Sequence, residues 1–188
     1  MENKEIILQN AIKLFAQKGY DAIGIQEICT ESNITKPTLY YYFKSKQGLL
    51  EEIRNSKGAE IANLIQQSLV YKHDFMASLT LALKTTVDFA LANPDFFRLH
   101  LNLLSSAQNS EAFSVYSSIK DQIFSAYLEF FSNSTNEFGN MKGKEKLYSV
   151  IFCENVNQIA LQALNGFLTL DSQNLHLIIH SFIYGVAS

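Results

Sequence analysis

Thr30-Glu-Ser-Asn-Ile-Thr-Lys-Pro-Thr-Leu-Tyr-Tyr-Tyr-Phe-Lys-Ser45 is the stretch whose reading decides this chain. It spells the end of one short helix, a tight turn, and a second short helix that is aromatic, hydroxylated and basic. Asn33 stands where the turn needs a positive φ, which asparagine tolerates better than most residues. Thr35 suits an N-cap, and Pro37 falls in the first helical turn, where a missing N–H costs nothing. Leu39 and Phe43, four apart, share one face and point inward. No acidic residue occurs from Ser32 through Leu50, so Lys36, Lys44 and Lys46 stand unopposed. Small polar side chains with local positive charge suit a DNA major groove: cations hold phosphates while hydroxyls and amides read base edges.

Outward from this core, Ile7, Ala11, Leu14, Phe15 and Lys18 recur at helical spacing, giving an amphipathic first helix that Gly19 is placed to end. Ile25, Ile28 and Cys29 mark a short second helix to about Ser32. Ser45 can cap a fourth, which Leu49, Leu50, Ile53, Ile61, Leu64, Ile65 and Leu69 carry to about Val70. A helix of about 25 residues makes a rod of roughly 38 Å. Further helices are expected near 74–92, 94–107, 111–132, 144–169 and 172–186. The breaks between them are Asn93-Pro94, Asn109-Ser110, the polar stretch 132–144, and Asp171-Ser172. No βαβ alternation and no repeat is visible. The fold class is all-α: an N-terminal three-helix helix-turn-helix domain over 1–46, then a helical bundle over 47–188.

The bulk numbers agree. In 188 residues there are two prolines, 47% hydrophobic and 18% charged residues, which describes a folded chain. Net charge is −3, but residues 1–57 carry +1 and the remainder −4, so the small cationic excess lies where the turn is. Cys29 and Cys153 fit no metal spacing and read as thiols of a reducing compartment. The opening Met-Glu-Asn-Lys-Glu carries no basic-then-apolar leader, and the span from Asn157 to Leu170 is too short and polar to cross a bilayer. A cytoplasmic protein without membrane association is expected. No paired acids, nucleophile–base pair or metal-ligand set appears, so neither an enzyme nor a cofactor or metal is expected. His176 and His180 have a chelating spacing without a third ligand nearby.

Residues 6–50 resemble the DNA-binding domain of the TetR family of transcriptional regulators. The resemblance rests on Ala11, Phe15, Gly19-Tyr20, Ile25, Ile28, Ser32-Asn33-Ile34-Thr35, and Leu39-Tyr40-Tyr41-Tyr42-Phe43 with Ser45-Lys46 and Leu49. It implies a homodimeric, all-helical regulator with a ligand-sensing C-terminal domain. Carried over by position, Lys36, Pro37, Thr38 and Tyr41 would face the major groove. Tyr40 and Tyr42 would meet phosphates, and Lys46 another. Ile23 and Gly24 depart from the hydroxyl residues usual before the second helix, so fewer phosphate contacts are expected there.

For the bundle, the candidate ligand-pocket residues are Phe89, Phe97, His100, Leu104, Tyr116, Phe124, Tyr127, Asn155 and Gln158, with a lipophilic or aromatic effector. Most aromatics of the middle chain are expected to be core. The candidate dimer faces carry Ile151, Val156, Ile159, Leu164, Phe167, Leu175, Ile179 and Ile183. The function expected is a repressor that a small molecule releases from a pseudo-palindromic operator. The alternative is a helical small-molecule-binding protein whose DNA binding has been lost.

Overall fold

A computed structural model of the chain describes residues 2–185. Every regular element among the described residues is a helix. Helix α1 (Glu2–Lys18) buries Ile7, Leu8, Ala11, Ile12, Leu14 and Phe15. It stops at Gly19, which makes the last helical bond, N–H to the Phe15 carbonyl at 2.9 Å, and whose φ of 85° then turns the chain out of the helix. Helices α2 (Ile25–Glu31) and α3 (Lys36–Phe43) flank a turn in which Asn33 takes φ 51°. Helix α4 (Lys46–Ile53) is capped by Ser45, whose hydroxyl accepts from the Gly48 N–H at 2.9 Å. The local expectations for Gly19, Asn33, Pro37 and Ser45 are met; Thr35 takes the N-cap position, but its hydroxyl bonds that of Thr38 at 3.0 Å and makes no cap bond to the backbone.

The long fourth helix differs from its expectation in one respect. Between α4 and α5 (Ala59–Ser68), residues Arg54–Gly58 form a π-helical turn. The reason lies in spacing. Ile53 and Gly58 are both buried, and five residues of α-helix would put them on different faces; one wider turn restores the stripe that continues through Ile61, Ala62 and Ile65. A Cβ at Gly58 would come within 3.3 Å of both the Tyr116 ring and Ile119, so any larger residue there requires those side chains to shift.

The chain continues as α6 (Phe75–Ala92), α7 (Pro94–Leu104), α8 (Glu111–Ser134), α9 (Glu145–Leu164) and α10 (Ser172–Tyr184). The expected end of the last helix at 186 lies outside the described residues. By packing, the chain forms two compact units. The first holds the N-terminal 60 residues together with Asn93–Lys120, and α7 packs on α1 within it. The packing does not divide at the expected 46/47: by contact, the helix-turn-helix belongs to one unit with α7 and the start of α8. Phe96, Phe97, Leu99 and Leu103 are buried there.

The second unit holds Ile61–Ala92 and the chain from Asp121 onward. Helix α6 is its centre, packed by α9 and α10. It is the one helix among the described residues long and apolar enough to cross a membrane, yet half of its 18 residues are buried inside the unit, as a core helix requires. Phe75, Phe89, Tyr127, Phe130 and Phe131 are also core, while Phe124 is half-buried.

Candidate nucleic-acid interface

The orientation of α3 follows from two anchors. Leu39 and Phe43 are buried, so the opposite surface must carry whatever lies between them. Lys36, Pro37, Tyr40 and Tyr41 are exposed, and Thr38 and Tyr42 are half-exposed. Tyr41 is 74% exposed, and its ring meets the edge of Tyr42, centroids 5.1 Å apart. Gly24, at the N-cap of α2, offers no side-chain cap bond, and Ile23 is buried. That pair therefore brings no hydroxyl to the surface, as their identities required.

Charge separates the two sides of the module more sharply than composition does. The lysines of α1 are spent internally: Lys4 pairs with Glu52 at 2.7 Å, Lys13 with Glu31 at 3.2 Å, and Lys18 with Glu27. Lys36 and Lys44 have no carboxylate partner among the described residues. The uncompensated positive charge of the module thus lies on and just after α3, beside Tyr40 and Tyr41. That is the electrostatic footprint a polyanion needs.

Lys46 is placed differently. It opens α4, where free backbone N–H groups already favour a phosphate. Its ammonium lies over the ring of Tyr20, 4.1 Å from the centroid, and the Tyr20 hydroxyl donates to Glu111 at the start of α8. Partial burial pushes the Lys46 pKa down, with Asp21 and Glu111 opposing. Burial first and the Glu111 bond second raise the Tyr20 phenol well above its ordinary value, so it stays a donor. The sequence gives no hint of Glu111, because 91 residues separate it from Tyr20 and no local pattern links them.

Residues 7–53 match the profile of the family described as bacterial regulatory proteins, tetR family. This part of the chain is a TetR-family DNA-binding domain. Among curated relatives, it is 46% identical over 54 residues to the uncharacterised HTH-type transcriptional regulator YuxN of Bacillus subtilis. It is 45% identical over 49 residues to the biofilm operon icaADBC negative transcriptional regulator IcaR of Staphylococcus aureus. These matches span 29% and 26% of this chain, and only 19% and 26% of the two relatives. At the level of fold the likeness is end to end. The transcriptional regulator FadR of Bacillus subtilis, solved in complex with stearoyl-CoA, superposes with a TM-score of 0.75 over 97% of this chain and 98% of its own, at 14% identity.

Beyond the TetR-type module, the nine candidate pocket residues divide between the two units. Phe97, His100 and Tyr116 are buried in the first, where Leu104 is half-buried. There His100 Nδ1 and the Tyr116 hydroxyl share a hydrogen bond at 2.7 Å, and burial holds the imidazole neutral, its pKa down to about 3. Phe89 and Tyr127 are buried in the second unit, with Phe124 at its margin. Asn155 and Gln158 are exposed; Asn155 lines a surface groove of about 390 Å³ with Leu83, Phe152, Ile159, Leu177 and Phe182.

The candidate dimer residues also divide. Val156, Leu175 and Ile179 are buried in the unit's own core, so they do not face outward. Ile159, Leu164 and Ile183 are half-buried. Ile151 and Phe167 are exposed, and the structure adds Leu147, Val150, Leu177 and Tyr184 to the outward apolar surface of α9 and α10. Helical period alone marks two apolar stripes on such helices without saying which one the parent fold takes.

Proposed function

We propose that this chain is a ligand-responsive transcriptional repressor that acts in the cytoplasm as a homodimer on double-stranded DNA. In this reading residues 1–46 read the operator and 47–188 hold the effector and the dimer contact. The observation that carries it is the contrast within the module: the lysines of α1 are neutralised by neighbours, while Lys36 and Lys44 flank two exposed tyrosines without a counter-charge. Lys36, Pro37, Thr38 and Tyr41 enter the major groove; Tyr40, Tyr42 and Lys46 hold phosphates. The exposed apolar surface of α9 and α10, with Ile151 and Phe167, supplies a self-complementary face. A two-fold dimer then sets two α3 helices about one turn of DNA, roughly 34–36 Å, apart. The name of IcaR, a negative regulator, supports repression, and the stearoyl-CoA bound to FadR supports a lipophilic effector.

The test is binding of the purified protein to DNA from upstream of its own coding region, at two salt concentrations, against an unrelated duplex. Preference for the upstream DNA that survives higher salt supports the reading. Tyr41→Ala should then cost about 1–3 kcal/mol of discrimination between the duplexes. Weak, equal binding to both would favour a helical small-molecule-binding protein without operator recognition.

A further inference from the structure

The second unit treats its buried hydroxyls consistently, with one exception. Ser68, Thr86, Ser134 and Ser149 each donate to a carbonyl of their own helix at 2.7–2.9 Å. Tyr127, on α8, is 1% exposed, and its hydroxyl has no hydrogen-bond partner among the described residues. Thr86 is the neighbouring hydroxyl: it acts on the phenol from close by and pulls its pKa down, while its own proton goes to the Ala82 carbonyl. Burial, and then the nearby Cys153, raise the Tyr127 phenol well above its ordinary value, so the group stays a neutral O–H donor. Folded chains rarely leave such a donor unmet, because phenylalanine fills the same space without the loss of hydration.

The surroundings limit what the donor can meet. The Phe152 ring stands edge-on to Tyr127, centroids 5.9 Å apart, and leads to Phe182 at 4.8 Å. Phe152 also lines the 390 Å³ groove, so the ring that packs on Tyr127 is at the same time a wall of that space. No Lys, Arg, Asp or Glu is buried among the described residues. An anion drawn into this interior would lose its hydration and find no counter-charge.

We infer that Tyr127 is the polar anchor of an effector site inside the second unit, and that the site takes an uncharged, largely aromatic or aliphatic molecule bearing one carbonyl- or ether-type acceptor. This rests on the regulator reading above, whose effector it names by chemical class. The acceptor meets the Tyr127 hydroxyl while the apolar body lies against Phe152 and Phe182. Charged amphiphiles are rejected from this position.

The chain has no tryptophan, so a naphthalene probe is read without indole background. The probes are 6-propionyl-2-(dimethylamino)naphthalene, whose emission reports hydrogen bonding at its ketone; 2-(dimethylamino)naphthalene, which lacks the ketone; and 6-(dimethylamino)-2-naphthoate, which is charged. The wild-type protein should bind the ketone at least tenfold more tightly than either of the others. Tyr127→Phe should remove that preference, shift the bound ketone's emission to the blue, and leave the affinity for the ketone-free probe unchanged. Because the hydroxyl has no partner to lose, the variant's Tm should be no lower than wild type.

The inference is overturned by a ketone preference that survives Tyr127→Phe, by tighter binding of the carboxylate, by saturable binding of none of the three, or by a variant that melts several degrees lower. Operator binding measured on the same preparation separates the two readings. Specific DNA binding without probe binding sinks this inference alone, whereas probe selectivity without DNA binding sinks the regulator.

Discussion

Tyr116 and Tyr127 lie on the same helix, three turns apart, and their surroundings differ as the two units differ. Tyr116, in the unit that contains the TetR-type module, is hydrogen-bonded to His100 at 2.7 Å, and Phe97 and Gly58 pack against the pair. Tyr127, in the second unit, is just as buried, and its hydroxyl meets no hydrogen-bond partner in good geometry among the described residues. The first unit satisfies its interior and leaves its unspent chemistry outside, on the lysines and tyrosines of α3. The second leaves its unspent chemistry inside. A polyanion is met at a surface because its charge need not be dehydrated, whereas a small lipophile is held by removing it from water. The locations of the unmet groups thus suit two different partners.

The largest test of the contrast is Phe131→Ala. This ring is fully buried among Phe75, Phe130 and Phe152, and its loss should cost about 3–5 kcal/mol in urea unfolding. A loss below about 1 kcal/mol would mean that the aromatic cluster is loosely packed, and the second unit would then hold no defined interior. The two tyrosines come next. Tyr116→Phe strands the buried His100 nitrogen and should destabilise by about 1–3 kcal/mol. An equal cost for Tyr116→Phe and Tyr127→Phe in the same assay would erase the distinction drawn between them.

The pH dependence of stability follows from His100. Unfolded, its imidazole takes a proton near pH 6.5; folded, burial withholds that proton until about pH 3. The unfolded chain therefore binds the extra proton between these values. Stability is whole above pH 6.5 and falls as the pH drops, approaching about 1.4 kcal/mol per pH unit for the one proton. Chemical denaturation between pH 7 and 5 should show this slope in wild type and a flatter one in His100→Gln. The smallest effect is expected of Lys46→Ala: the salt dependence of DNA binding should weaken by about one unit, alike on all sequences. An unchanged slope would leave Lys46 as a support for Tyr20 and Glu111 only.

Much of the recognition module could be read from its residues because its determinants are local. Asn33, Thr35, Pro37, Ser45 and Gly19 each act within four positions of themselves, through φ preference or a cap. The faces of α3 follow from Leu39 and Phe43 by helical period. The bundle was harder. Val156 and Ile179 have the same apolar character and spacing as Ile151 and Phe167, yet the first two are core and the last two are outside. Hydropathy does not state which neighbour a stripe will meet.

By itself, then, the sequence determined the all-helical class, the helix-turn-helix and its outward lysines and tyrosines, since each depends on backbone preferences and charges within a few residues. Only the tertiary structure decided the π-helical turn over Gly58, the reach of Glu111 to Tyr20 beside Lys46, the closing of His100 on Tyr116, and the stranding of Tyr127. All four depend on which distant side chain arrives opposite a given one. That is settled by the packing of whole helices and leaves no trace in the local order of residues.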